Sequence, residues 1–216
     1  MIKVLITGAN GFIGKNLKLF LEERKDIEIL RFNRDHKASS LVEIIKKVNF
    51  VFHLGGTNRS DNSDDFFDNN TNLTKNLCEA IIKTNNKIPV IFTSSILADQ
   101  NSPYGRSKRD AEKLLLDLNK NFKVPIYIFR LPNVFGKWCR PNYNSVVATF
   151  CYNITREIPI HINDEKNIIH LVYIDDVIKR FIQLLDGSEK KIDSKGFQIV
   201  SPSFKLTVGE LAKQLY

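Results

Sequence analysis

Tyr104 and Lys108 stand four residues apart in the run Ser102-Pro103-Tyr104-Gly105-Arg106-Ser107-Lys108. Proline suits the first turn of a helix, and a spacing of four puts both side chains on one helix face. A phenol ionises near pH 10, roughly, and is a poor base at neutrality. A neighbouring ammonium favours the phenolate and lowers that value. The pair therefore predicts proton transfer to a carbonyl oxygen, or from an alcohol, with Lys108 also reaching for a nicotinamide ribose. Y-x-x-x-K by itself is also a common surface pattern. Here it follows a hydroxyl cluster, Thr93-Ser94-Ser95, at the end of an apolar run. A serine at the carboxyl end of a strand can donate to a substrate oxygen and stabilise developing charge. Ser95 is the expected donor and Ser94 the alternative.

A second constellation supplies a place for a hydride carrier. Thr7-Gly8-Ala9-Asn10-Gly11-Phe12-Ile13-Gly14 has the spacing G-x-x-G-x-x-G between a first apolar run and a first amphipathic stretch. Glycines in that context let backbone approach a pyrophosphate, and the helix N-terminus offers it free N–H groups. Gly8, Asn10, Gly11, Phe12, Ile13 and Gly14 are the expected contacts. Leu54, Gly55 and Gly56, after His53, form a second glycine turn that a cofactor can approach. An NAD site wants a carboxylate about 20 residues after the glycines to hold the ribose hydroxyls. The sequence reads Leu30-Arg31-Phe32-Asn33-Arg34, with no acid before Asp35. An arginine there suits a 2′-phosphate by charge and fork geometry, so NADP(H) is expected, read by Arg34 or, second, by Arg31.

These residues need elements to position them. Apolar runs at 2–6, 27–32, 50–54, 90–93 and 126–131 predict buried strands. Helical stripes at 11–24, 39–47, 70–84 and 105–120 separate them. The alternation predicts an α/β, doubly wound parallel sheet of Rossmann-like type, with ligands at the strands' carboxyl ends. Beyond 132 the pattern predicts a helix at 145–156, strands at 168–174 and 197–200, a helix at 175–185, and one starting near Thr207. Residues 1–132 are thus expected to bind the dinucleotide. Residues 133–216 are expected to form a small C-terminal substrate lobe interwoven with the same fold.

Composition narrows the classes. The net charge is +8, but the basic residues form no block, aromatic interleaving or recognition-helix pattern, so nucleic acid is not the expected partner. No run of about 20 apolar residues occurs, as a membrane span requires, and the N-terminus lacks a secretory leader, so the expected location is the cytoplasm. Cys78, Cys139 and Cys151 have neither disulfide-framework nor metal spacing, and the four histidines are scattered. No metal site is expected.

Taken together, T-G-A-N-G-F-I-G, H-L-G-G, T-S-S, Y-G-R-S-K and Arg130-Leu131-Pro132-Asn133-Val134-Phe135-Gly136 resemble the extended short-chain dehydrogenase/reductase family across essentially the whole chain. The resemblance implies that Leu131 and Pro132 line the nicotinamide pocket and that Asn133 contacts a nucleotide-sugar diphosphate. A narrower likeness lies in Asn101-Ser102-Pro103-Tyr104-Gly105, and especially in Phe135-Gly136-Lys137-Trp138-Cys139-Arg140-Pro141-Asn142-Tyr143-Asn144-Ser145-Val146 and Ala148-Thr149-Phe150-Cys151-Tyr152. These are similar to the reductase domain of CapF-type capsular polysaccharide enzymes. That implies NADPH-dependent reduction of a UDP-linked 4-keto-6-deoxy-N-acetylhexosamine, on the route to UDP-N-acetyl-L-fucosamine for bacterial surface polysaccharide. Arg140 and Asn142, and secondarily Asn58 and Arg59, become candidate sugar contacts. The resemblance also implies a metal-dependent C-terminal cupin domain, and the chain is expected to be cut ahead of it. A homodimer through 70–84 and 105–120 is implied as well.

Two rivals remain. A nucleotide-sugar 4-epimerase uses the same Tyr/Lys/Ser set but retains its cofactor, so bound NAD would mark it. A non-catalytic NADP(H)-binding module would bind without turnover. A 4,6-dehydratase would want an acid pair after the catalytic hydroxyl residue, where Ile96 and Leu97 stand.

Overall fold

The computed structural model describes residues 1–189 and 191–216. Its centre is a parallel sheet of β1 (Ile2–Thr7), β2 (Ile27–Phe32), β3 (Phe50–His53), β4 (Val90–Ser95) and β5 (Ile126–Leu131), in the order β2-β1-β3-β4-β5. The chain leaves β1 in one direction to build β2 and returns on the other side to build β3. The switch point therefore lies between the carboxyl ends of β1 and β3, where such sheets bind ligands.

Side chains alternate across the sheet, because successive residues of a strand face opposite ways. Leu5, Val51, Val90, Phe92 and Ile128 point to one side, where they meet Leu41 and Ile45 of α2 (Ser40–Ile45), Leu77 and Ile81 of α4 (Leu73–Thr84), and Ala111, Leu115 and Leu118 of α5 (Pro103–Phe122). Val4, Ile6, Phe50, Phe52, Ile91 and Phe129 point to the other, onto Leu17 and Leu21 of α1 (Phe12–Glu22) and Val177, Ile178 and Phe181 of α7 (Ile174–Leu185). Phe52, Phe92, Phe129 and Phe181 are fully buried. Burying each contributes on the order of 2–3 kcal/mol.

The helix expected from residue 70 begins earlier. A short α3 (Asp64–Phe66) runs into one π-helical turn, Phe67–Asn72, before α4. The wider turn carries Asn70 into the interior, where it is 1% exposed. Asparagine and threonine are weak helix formers, so the pattern of apolar residues alone misplaces this start. Strand 197–200 does not form as expected. Residues 191–199 make a tight hairpin around Asp193–Gly196, held by Ile199 N–H to Lys191 O at 2.8 Å, with a single bridge between Ile192 and Gln198. Gln198 N–H instead donates to Ile128 O of β5 at 2.8 Å.

The last third is divided. α7 covers the main sheet. The separate small layer is β6 (Asn133–Phe135), β7 (Ile168–Tyr173) and β8 (Phe204–Thr207), with β6 parallel and β8 antiparallel to β7. Phe150 of α6 (Val146–Ile154) and Leu211 and Ala212 of α8 (Val208–Leu215) close its core against Leu171. Thr207 caps α8 in a reciprocal box with Glu210, which fixes that helix start. No described helix is long and apolar enough to cross a membrane.

Candidate active site

The glycine turn between β1 and α1 is built for close approach of backbone. Gly8 has φ +70°, and a Cβ there would lie 2.6 Å from Gly55 Cα. A Cβ on Gly14 would lie 2.3 Å from Gly8 O. Side chains are thus excluded where the β1 and β3 loops and the α1 N-terminus meet. Gly11 occupies the N-cap without a side-chain bond, leaving first-turn N–H groups for an anion. The residues present fit a dinucleotide pyrophosphate.

A cleft of about 780 Å³ opens over this turn. Gly8, Asn10, Gly11, Phe12, Ile13, Gly14, Arg34, Leu54, Gly56 and Leu131 line it, as do Ser95, Tyr104 and Lys108. Gly55 lines an adjoining cavity of about 310 Å³ with Phe32, Asn33 and His36. At the end of β2, Arg34 Nη2 donates to Thr57 Oγ1 at 3.1 Å and stays exposed in the cleft. Arg31 is exposed and lines neither cavity, so of the two arginines Arg34 is the one in the cleft. Asn33, not singled out by the sequence, lines both cavities, and its buried Oδ1 has no hydrogen-bond partner. It stands where a carboxylate would hold a ribose, and an orphaned acceptor of this kind fits a ribose hydroxyl.

The chemical groups gather at the carboxyl end of β4. Ser102 caps α5, its Oγ accepting from Gly105 N–H at 3.0 Å, and Pro103 follows in the first turn. Gly105 packs so closely that a Cβ would lie 2.4 Å from Leu97 O. The start of α5 is therefore pressed onto the turn after Ser95. Ser95 Oγ accepts from Leu97 N–H at 3.1 Å, which leaves the hydroxyl proton free to donate. Ser95 hydrogen-bonds Tyr104, which eases ionisation, but burial of the phenol outweighs this and raises its pKa. Lys108 is 7% exposed. Burial brings its pKa down to about 8, opposed by the charge of Glu112. Its Nζ donates to Thr93 O at 3.0 Å. The expected lowering of the phenol by the lysine is thus absent from this arrangement: burial dominates and favours the protonated phenol.

Two buried polar assemblies hold these groups. Asn70 accepts at Oδ1 from Thr57 N–H (2.9 Å) and donates through Nδ2 to Thr57 O and Ser107 Oγ (both 2.9 Å). It ties the β3 loop to the helix carrying Tyr104 and Lys108. On the other side of Lys108, Glu112 receives Arg130 through both oxygens, at 2.9 and 2.7 Å, and also the Ser94 hydroxyl. Ser94 is thereby committed to Glu112, and Ser95 is the hydroxyl that lies against Tyr104.

Of the residues expected to contact a sugar, Asn133, Arg140 and Asn58 line the cleft, with Trp138 and Tyr143. Asn142 lines neither cavity. It has φ 54°, its N–H donates to Thr149 Oγ1 at 2.9 Å, and its carbonyl receives Arg59, so it shapes a turn. Arg59 likewise spends its guanidinium on the Asn142 and Tyr143 carbonyls, latching the β3 loop to the loop after β6. Among the described residues no cluster of metal-binding side chains occurs.

Comparison with known proteins agrees with this geometry. The chain is 50% identical over 215 residues to the UDP-2-acetamido-2,6-beta-L-arabino-hexul-4-ose reductase of Pseudomonas aeruginosa, covering all of this chain and 57% of that protein. It superposes on the capsular polysaccharide assembling protein CapF of Staphylococcus aureus with a TM-score of 0.84 at 36% identity, again over the whole chain and 57% of the other. The narrower resemblance read from residues 135–152 is borne out by both. The chain spans less than two thirds of either relative. A UDP-glucuronic acid 4-epimerase of Bacillus cereus in complex with NAD shares the fold, with a TM-score of 0.81 at 21% identity over 96% of this chain. Residues 4–199 match the model of the NAD dependent epimerase/dehydratase family, and the chain belongs to that family.

Proposed function

We propose that this chain reduces a UDP-linked 4-keto-6-deoxy-N-acetylhexosamine with NADPH, in bacterial capsular or surface polysaccharide biosynthesis. The observation that carries the reading is Tyr104, held as a neutral phenol against Ser95 at the floor of the cleft. A ketone reduction needs a proton for the oxygen as the carbon receives hydride, and a phenol kept protonated by burial is suited to give it. The Ser95 hydroxyl, with its lone pair engaged by Leu97 N–H, donates to the same oxygen and stabilises charge there. Lys108, an ammonium below about pH 8, lines the same cleft and supplies its positive charge. A reduced nicotinamide bound over the glycine turn supplies the hydride.

Arg34, beside Asn33 at the position where a ribose-binding carboxylate would stand, supports NADPH over NADH. Asp35 follows, exposed. Asn133 and Arg140 suit the diphosphate and sugar hydroxyls. In this reading residues 1–132 hold the dinucleotide and 133–216 cover the sugar.

The test is NADPH consumption, followed at its absorbance band with a 4-keto UDP-sugar, and product identification by NMR. Stoichiometric oxidation with a new carbinol at C4 is expected. Tight NADPH binding without turnover would overturn the reading in favour of a binding module. Co-purified NAD with inversion of a 4-hydroxy sugar would favour an epimerase.

A further inference from the structure

We infer, resting on the reductase reading above, that Asn16 is a positioning residue: from inside α1 it holds the turn at 136–139 in the form that sets Trp138 at the cleft for the sugar nucleotide. Asn16 is 2% exposed and stands two residues past Gly14. Its Nδ2 donates to Phe12 O at 2.9 Å and, across 121 positions of sequence, to Lys137 O at 3.0 Å. Both partners are carbonyls and can only accept, so they fix which end of the amide faces them. Asn16 is buried on the same helix as Leu17 and Leu21, and a buried amide costs free energy unless it is bonded. Packing alone gives no reason for an amide there.

Lys137 O is the central carbonyl of a four-residue turn, closed by Cys139 N–H to Gly136 O at 3.1 Å. Trp138, third in that turn, has φ 68°. Glycine or asparagine usually stands at such a position, because a left-handed φ is uncommon for a large side chain. Turning the central peptide over would give the commoner turn and relieve Trp138. It would also carry Lys137 O away from Asn16 and leave the buried amide short of a partner. The loop is pinned on either side of this choice. Gly136 has φ 133°, and a Cβ there would lie 2.5 Å from Ile174 Cγ2. Further on, Arg59 holds the Asn142 and Tyr143 carbonyls. Asn16 therefore selects between two forms of a turn whose ends are fixed. The residue that bears the strain is also the one that lines the cleft, with Arg140 two positions on. Trp138 is 44% exposed, and Lys137 Nζ lies 4.3 Å from its ring centroid. The helix whose N-terminus fits a pyrophosphate thus also sets a rim of the cleft that belongs to the other end of the chain.

Trp138 is the sole tryptophan of the sequence, so its fluorescence reports this turn directly, and indole emission overlaps the absorbance of reduced nicotinamide. The test uses two variants. Asn16→Ala removes both bonds and suits a helix. Asn16→Ser can still donate to the carbonyl four residues back but is too short to reach Lys137. In both, KM for the 4-keto UDP-sugar, and its calorimetric Kd on the NADP⁺-loaded protein, should rise about 5- to 10-fold, the worth of one hydrogen bond. kcat and the Kd of NADPH should stay within about two-fold, as when binding is lost equally from ground and transition states. Trp138 emission should shift to the red, and its energy transfer to bound NADPH should weaken. Unmoved emission, an unmoved KM, or NADPH affinity lost in step with that of the ketone overturns the role of Asn16 and leaves the reductase standing. Shifted emission with weakened ketone binding, where the wild type turns nothing over, upholds Asn16 and overturns the reductase.

Discussion

His53 Nδ1 accepts the Thr7 hydroxyl across 2.8 Å, linking the carboxyl ends of β1 and β3 beneath the cleft. Its Nε2 lies 2.9 Å from Thr74 Oγ1, whose own proton goes to Asn70 O at 2.7 Å. The ring must therefore be the neutral Nε2–H tautomer, donating to Thr74 and accepting from Thr7. Thr7 Oγ1 in turn receives Gly55 N–H at 3.1 Å. Burial, then the nearby Lys108 charge, brings the His53 pKa down to about 3. The unfolded chain, with a histidine near 6.5 or so, binds more protons than the native one between these values. Stability should fall as pH drops through 6.5 toward 3, by on the order of several kcal/mol from this group. Chemical denaturation at stepped pH should show that slope, and His53→Gln should flatten it while costing roughly 1–3 kcal/mol at neutrality.

Tyr104→Phe removes the proton donor without touching the glycine turn. Turnover should fall by about 10²–10⁴-fold, with NADPH affinity by fluorescence titration changing less than about two-fold. Activity equal to wild type would remove Tyr104 from the chemistry.

Lys108 sets the alkaline limit. Its ammonium, at about 8 in the buried site, loses its proton as pH rises, while Tyr104 stays protonated because burial raises it. kcat/KM should therefore decline above about pH 8. Lys108→Met should lower the rate across the whole profile and abolish that limb, measured by initial rates from pH 6 to 10.

Arg34→Ala should weaken NADPH by roughly 10–100-fold, the value of a charge-assisted pair, and leave NADH nearly unchanged. Equal weakening of both would place the 2′-phosphate elsewhere.

Gly14→Ala should abolish binding of either cofactor, because the added carbon would fall 2.3 Å from Gly8 O. The change forces backbone apart at the turn. Gly11→Ala, whose Cβ meets only Gly8 O at 3.2 Å, should be the milder substitution in the same titration.

The sequence made the five parallel strands legible because each is a short apolar run between helical stripes, and Ser95, Tyr104 and Lys108 because their types and spacing have a chemical rationale. Three things were hidden. Asn70 lies in a π-helical turn that apolar periodicity does not register. Residues 197–200 have the apolar look of a strand, but 197–199 are the second arm of the hairpin at 191–199, and Gln198 N–H is spent on β5. Asn33 carries no charge, so a search for an acid or an arginine passes over it, and only the orphaned acceptor reveals it. The fate of Asn142 was also unreadable: its left-handed φ belongs to the turn, while its neighbour Arg140 reaches the cleft.

The hairpin carries one more implication. Phe197 lies under the Arg130 guanidinium, 4.1 Å from ring centre to Cζ, and Lys195 grips Asp99. Arg130 is the counter-ion of Glu112, and Asp99 closes the turn that starts at Ser95. A stretch remote in sequence thus braces the floor on which the donor serine rests. A minimal unit designed to stop after β5 would keep every strand of the main sheet and still lose that bracing, so autonomous domain borders drawn from the sheet alone would fall too early.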